Sequence, residues 1–291
     1  MTLKKGDRVK RLISMFGFAW LAWASGPDLD RADKLYNITE FQQSLEVLQA
    51  VPNKDAAVYE LMGRNYYGRG EFRKAIEALE QAAVLAPGNS GVYLWLGRSY
   101  GRRAETSSII TAPGLANKAR RLFEKAVQLN PANLDAQSDL FEYYMEAPGF
   151  LGGGIDKASA TAARIARISP AEGHWAQAKL AEKRKEFTSA EAQLRLALEI
   201  APQHIGRWFD LARLFTRQGR YQEADVSLAR AEQIAPNDPK LMFMKADLYI
   251  KGKRNLSIAR ELLKRYMGSN LTPEDPPRAD AEKLLKQVQG S

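Results

Sequence analysis

The amino-acid sequence predicts an all-α fold, a solenoid of stacked helix-turn-helix units. Three observations carry that expectation. Apolar and small residues return with one spacing in two ungapped 34-residue stretches, Ala56 to Asn89 and Ile205 to Asp238. Within each stretch the apolar residues step by three and four, the period of an amphipathic helix. Pro87, Pro131, Pro170, Pro202 and Pro236 recur between such stretches. Each is expected to end the second helix of a unit, because proline cannot continue one.

The elements follow in order. Lys4, Lys5, Arg8, Lys10 and Arg11 precede an apolar run from Leu12 to Ala24. That run is shorter than the about 20 residues a bilayer-spanning helix needs. A basic start, a short apolar stretch and Ala22-Trp23-Ala24 predict a secretory signal peptide over 1–24, cleaved after Ala24. The expected location is then periplasmic or secreted; an uncleaved membrane anchor is the alternative. Residues 25–55 read as N-terminal helices with a partial unit, Ala32 to Pro52. Six units follow over 56–268, at 56–89, 90–133, 134–170, 171–204, 205–238 and 239–268. Residues 269–291 read as a linker and a final helix, Arg278 to Val288, covering the apolar face that a last unit would expose.

Composition narrows the function. The formal net charge is +9, and loss of the leader's five basic residues and Asp7 would leave +5. That mild excess gives little support to nucleic-acid binding. There is no cysteine, so disulfides and a lipid-modified cysteine are excluded. His174 and His204 are the two histidines, too few ligands for a zinc site of the His/Cys type. No Ser-His-Asp arrangement has a recognisable frame, so neither an enzyme nor a cofactor is expected.

Two turns are enlarged, near 101–116 and 147–156. The second holds four glycines between Gly149 and Gly154. A phosphate loop would follow a strand and end in Lys-Ser or Lys-Thr, and neither feature is present. The stretch therefore reads as a turn. Pro113 suits the first turn of the helix after the first insertion. The two turns are expected to pack on each other and bury Ile109, Ile110, Phe150 and Leu151, with a partner site as the alternative.

In the first 34-residue stretch the recurring residues are Tyr59, Met62, Gly63, Tyr66, Ala75, Leu79, Ala82 and Pro87. Trp208, Leu211, Ala212, Phe215, Ala224, Leu228, Ala231 and Pro236 hold the same slots in the second. This pattern resembles the tetratricopeptide repeat, and with the leader it looks like a bacterial exported member. The resemblance covers most of the chain. It implies a right-handed superhelix whose first helices line a concave groove, and a protein partner rather than a substrate. Carried onto this chain, one row of groove positions holds Arg64, Arg98, Glu142, Lys179, Arg213 and Asp247. Tyr67, Arg102, Lys183 and Arg217 extend it, and Leu94, Trp175, Phe209 and Phe243 supply apolar contacts. The asparagines of the chaperone-binding carboxylate clamp are missing, so recognition of a C-terminal carboxylate is not implied. Arg64, Arg98 and Arg102 have few acidic neighbours at matching positions, Glu60 being nearest by sequence. Guanidiniums bind carboxylates in bidentate fashion, so an acidic segment is the expected partner, with Tyr67 and Leu94 beside it. The implied role is an interaction scaffold of the cell envelope. The alternative is a membrane-tethered secretion or assembly factor.

Overall fold

The computed structural model describes residues 26–288, so the expected leader lies outside the described residues. Fifteen α-helices and no strand occur among them. Fourteen form seven consecutive pairs: α1 (Gly26–Asn37) with α2 (Phe41–Ala50), α3 (Ala56–Gly68) with α4 (Phe72–Leu85), and α5 (Ser90–Glu105) with α6 (Ala112–Leu129). Then come α7 (Leu134–Glu146) with α8 (Ile155–Ile168), α9 (Pro170–Lys183) with α10 (Phe187–Ile200), α11 (Ile205–Arg217) with α12 (Tyr221–Ile234), and α13 (Pro239–Lys251) with α14 (Leu256–Met267). Helix α15 (Arg278–Val288) packs on α14 and α13 and closes the stack. The half-matching stretch before residue 56 is thus part of a full helix pair.

Local chemistry starts these helices. The side chains of Asp55, Asn89, Asn133, Ser169 and Asp238 each accept a backbone N–H from the first turn of α3, α5, α7, α9 and α13. These bonds satisfy donors that a helix start leaves without partners. Five pairs share one internal turn. A residue with left-handed backbone follows the first helix, at Thr39, Gly70, Lys185, Gly219 and Lys253. The next N–H then donates back to the helix, as in Glu71 N to Tyr66 O at 2.9 Å and Glu186 N to Ala181 O at 2.9 Å. Bonds of this kind close helix C-termini and favour glycine at the left-handed residue. Pro170 departs from the expected helix-ending role. It sits in the first turn of α9, and Ser169 ends α8 while capping α9. Proline is tolerated there because that N–H would have no helical partner.

Packing makes the pairs into one body. Ala75, Ala82, Ala126, Ala162, Ala197 and Ala231 on the second helices are fully buried. The first helices approach them closely: a Cβ on Gly63 would lie 2.4 Å from Leu79 Cγ, and one on Gly97 would lie 2.6 Å from Phe123. Glycine is needed there for space, not for backbone freedom.

The glycine-rich turn is architectural as well. Gly149–Leu151 forms a short 3-10 turn, and Gly152 and Gly154 take φ of +83° and +151°. A Cβ on Gly153 would stand 1.8 Å from the Ala147 carbonyl oxygen. The turn is tied down by Gly154 N to Tyr144 O at 2.9 Å and by Tyr143 Oη to Leu151 O at 2.9 Å. Three successive glycines are thus required by the path of the chain. The expected burial is overturned for three of the four apolar turn residues, Leu151 being half-buried. Ile109, Ile110 and Phe150 are 89%, 87% and 79% exposed. Helices α5 and α6 have 16 and 18 residues against 13 and 14 in α7 and α8. The α5–α6 tip therefore projects beyond its neighbour, and the 3-10 turn packs against α6 instead of against the tip.

Candidate functional site: a concave groove with two pockets

The first helix of each pair faces the groove, where two pockets open. The first, of about 720 Å³, is walled by Tyr36, Arg64, Tyr67, Trp95 and Arg102, with residues of the segment 271–280 opposite. The chain's C-terminal arm thus returns to the mouth of the N-terminal pocket. Arg64 is half-buried there. Its guanidinium carbon lies 4.6 Å from the centre of the Tyr36 ring and 5.1 Å from that of Trp95. Tyr67 meets Trp95 edge-on, with ring centres 5.4 Å apart. Burial pushes the Tyr67 phenol up, against the pull of Arg102 and Arg98.

The guanidiniums of this half are not equivalent. Arg98 Nε and Nη2 bind the two oxygens of Asp139 at 2.6 and 3.3 Å, a bidentate pair. Burial raises the Asp139 carboxyl, and Arg98 opposes that rise. Arg102 pairs with Glu105 at 2.5 Å. The expectation of three guanidiniums with few acidic neighbours is therefore corrected, because α7 brings Asp139 to Arg98. Arg64 alone of the three has no ion pair among the described residues, and its buried Nε has no acceptor. Glu60, one turn away, accepts from Asn89 Nδ2 at 3.3 Å.

The second pocket, of about 600 Å³, lies among α7, α9, α11 and α13. Asp210 is its hub. It accepts from Arg207 and Arg213 at 2.7 Å each and lies 3.6 Å from Lys179. Arg207 also pairs with Glu172 and stacks over Trp175 at 4.5 Å. Arg217, farther along, pairs with Glu182 at 2.7 Å. Burial lowers the Lys179 ammonium, opposed by Asp210 and reinforced by Arg213. Burial also raises the Glu142 carboxyl, reinforced by Asp139 and opposed by Lys179. Sequence reasoning missed Asp210, although Arg207, Asp210 and Arg213 stand at three-residue steps on one helix face.

The apolar expectations need a further correction. Leu94, Trp175 and Phe209 are 4%, 6% and 5% exposed. They are core residues. Trp175 and Phe209 only edge the second pocket, and Leu94 lines neither. Side chains that fill the interface between neighbouring pairs cannot also lie open to a partner. Trp95, which sequence reasoning did not select and which is only partly buried, takes the open aromatic role, while Tyr36 is a core side chain that supports Arg64 from beneath. Among the described residues no group of three or more His, Cys, Asp or Glu is placed to hold a metal ion.

Comparison with known proteins agrees with this architecture. Two family models, each described as tetratricopeptide repeat, match residues 56–89 and 181–240. No curated protein matches the chain. Among solved structures, a tetratricopeptide repeat protein from Parabacteroides merdae is 13% identical with a TM-score of 0.59, over 90% of this chain and 99% of that one. A thermophilic TPR protein of Thermus thermophilus is 20% identical with a TM-score of 0.52, over 69% and 98%. The Cut9–Hcn1 hetero-tetramer of the APC/C is 15% identical with a TM-score of 0.52, and only 48% of that chain is covered. At such identities the likeness is one of fold. Residues 56–89 and 181–240 are thus similar to the tetratricopeptide repeat, and the seven helix pairs carry the same solenoid architecture through the described residues.

Proposed function

We propose that this chain is a protein-interaction scaffold that holds a short acidic segment of its partner in the pocket at Arg64. One observation carries the reading: Arg64 is a half-buried guanidinium that makes no ion pair among the described residues, held between Tyr36 and Trp95, with Glu60 attracted to it but not bonded. The other groove guanidiniums named above already have acidic partners. A carboxylate entering the pocket would meet a preorganised donor, and aromatic walls would cover the apolar part of the same residue or its neighbour. One such charge-assisted contact is worth about 1.5–3 kcal/mol. The second pocket is internally neutralised and offers a partner less. Use of this fold in a hetero-tetramer, as the Cut9–Hcn1 structure is described, fits a scaffold role.

Selection from a random peptide display library tests the site. Acidic peptides should be enriched, and Arg64→Met should weaken them by about tenfold or more, in line with that contact energy. Enrichment without Asp or Glu, or equal binding by Arg64→Met, would overturn it. Arg98→Glu is the poorer test, because it would set a second carboxylate against Asp139.

The leader supports a place for this work outside the cytoplasm, in the periplasm or beyond. N-terminal sequencing of the protein from its host should find a chain starting after Ala24. A membrane-held chain starting at Met1 or Thr2 would instead favour the tethered secretion or assembly factor.

A further inference from the structure

Independently of the groove, we infer that the α5–α6 tip is a membrane-docking element that takes an anionic lipid surface. Ile109 and Ile110, 89% and 87% exposed, are the most exposed large apolar residues of the described chain. They stand side by side at the end of a hairpin that projects past its neighbour. Directly behind lies a depression of about 610 Å³ lined by Arg73, Arg103, Ser107, Ile110, Thr111 and Leu115. Neither Arg73 nor Arg103 makes an ion pair among the described residues. Glu105 on the same turn is taken by Arg102 at 2.5 Å. Glu77, one turn beyond Arg73, forms no ion pair with it. The start of α6 has no side-chain cap and opens onto the same depression at Gly114.

This arrangement fits the boundary of a bilayer better than a protein surface. A protein hot spot works inside an enclosed, well-packed pocket. Two isolated isoleucines on a tip have no such enclosure, whereas the headgroup–acyl boundary solvates them on every side. The guanidiniums then lie at headgroup depth, where anionic phosphates attract them. Phe150 belongs to the neighbouring turn. That turn meets α6 at Arg120, since a Cβ on Gly152 would lie 2.8 Å from Arg120 Nε. At 1.5 Å per residue this is about 12 Å back from the start of α6. Phe150 is therefore not part of the inserting tip.

The absence of cysteine in the sequence makes the test clean. Full-length Ile110→Cys carrying one environment-sensitive fluorophore is mixed with vesicles of phosphatidylcholine and phosphatidylglycerol. The label should shift to the blue and be quenched by brominated lipid. The same label on Val226→Cys, exposed on α12, should stay in water. Adding Arg73→Glu with Arg103→Glu to the Ile110→Cys chain should weaken partitioning by about tenfold or more, with an unchanged circular dichroism spectrum. Vesicle binding that leaves the label at 110 in water would show attachment by the leader alone and overturn the proposal. So would an equal shift on phosphatidylcholine alone, or no response to the double reversal.

Discussion

Arg64 and Arg98 hold equivalent positions in adjacent pairs, and their fates differ through one residue 41 positions along the chain from Arg98, Asp139. The sequence shows which residues share a repeat position. It does not show which carboxylate a neighbouring pair will present, because that depends on the rotation from one pair to the next. The same holds for Glu142, whose carboxyl is raised by burial first and then by the charge of Asp139. Its side chain faces the open groove, so solvent screens part of that cost. A carboxyl raised in the folded state stabilises the protonated form. Its contribution is therefore complete below its ordinary value of 4.5 and is lost as pH rises through the folded value. Glu142→Gln imitates the protonated group. It should raise the melting temperature at pH 7 by about 1–3 °C, and the gain should vanish when melting is repeated near pH 4. An equal gain at both pH values would show that packing, not charge, is responsible.

At the scale of elements, helix existence was legible and turn chemistry less so. Period, caps and prolines mark the paired helices, because each leaves a local trace. The shared left-handed turn residue is glycine at Gly70 and Gly219 but not at Thr39, Lys185 or Lys253. The backbone bonds that close the turn outweigh the cost of about 1–2 kcal/mol for a side chain there. A sequence signal built on glycine is therefore absent in three of these five turns. The enlarged turns were legible as insertions, but not their outward projection. Whether an insertion folds back or extends its helices depends on how far those helices continue. Helices α5 and α6 do continue, and this gives them turns to spare. Deleting Ser107 to Thr111 should leave the far-ultraviolet circular dichroism nearly unchanged apart from frayed helix ends. Ile109 and Ile110 add nothing to the core, and a shorter loop closes at little entropic cost. A cooperative loss of helix would show that the tip supports the stack.

The whole molecule is a row of interfaces, each pair resting on its neighbours, so its ends determine how it comes apart. At the C-terminal end α15 buries Ala281 and Val288 and packs Leu284 and Leu285 onto the core that holds Leu262, Leu263 and Tyr266. The arm before it is anchored as well. Arg278 donates to the carbonyls of Met267 and Ser269 at 3.3 and 2.8 Å, and the Tyr266 hydroxyl donates to the Pro276 carbonyl. Truncation after Pro277 removes this cap. Loss of several buried aliphatic side chains, about 1.5–3 kcal/mol each when fully buried, should exceed what α13 and α14 can bear alone. Native-state hydrogen exchange of the truncated chain should lose protection in α13 and α14 first. Protection in α3 to α6 should persist, because their neighbours are intact. The effect should also reach the Arg64 pocket, since segment 271–280 forms its far wall. Truncation removes Arg278 to Asp280 from that wall together with the two Arg278 anchors, and the acidic peptides selected on the intact chain should bind more weakly although Arg64, Tyr36 and Trp95 are untouched. Uniform loss of protection along the chain would mean that the stack unfolds as one unit. Undiminished peptide binding would mean that the N-terminal helices alone make the site.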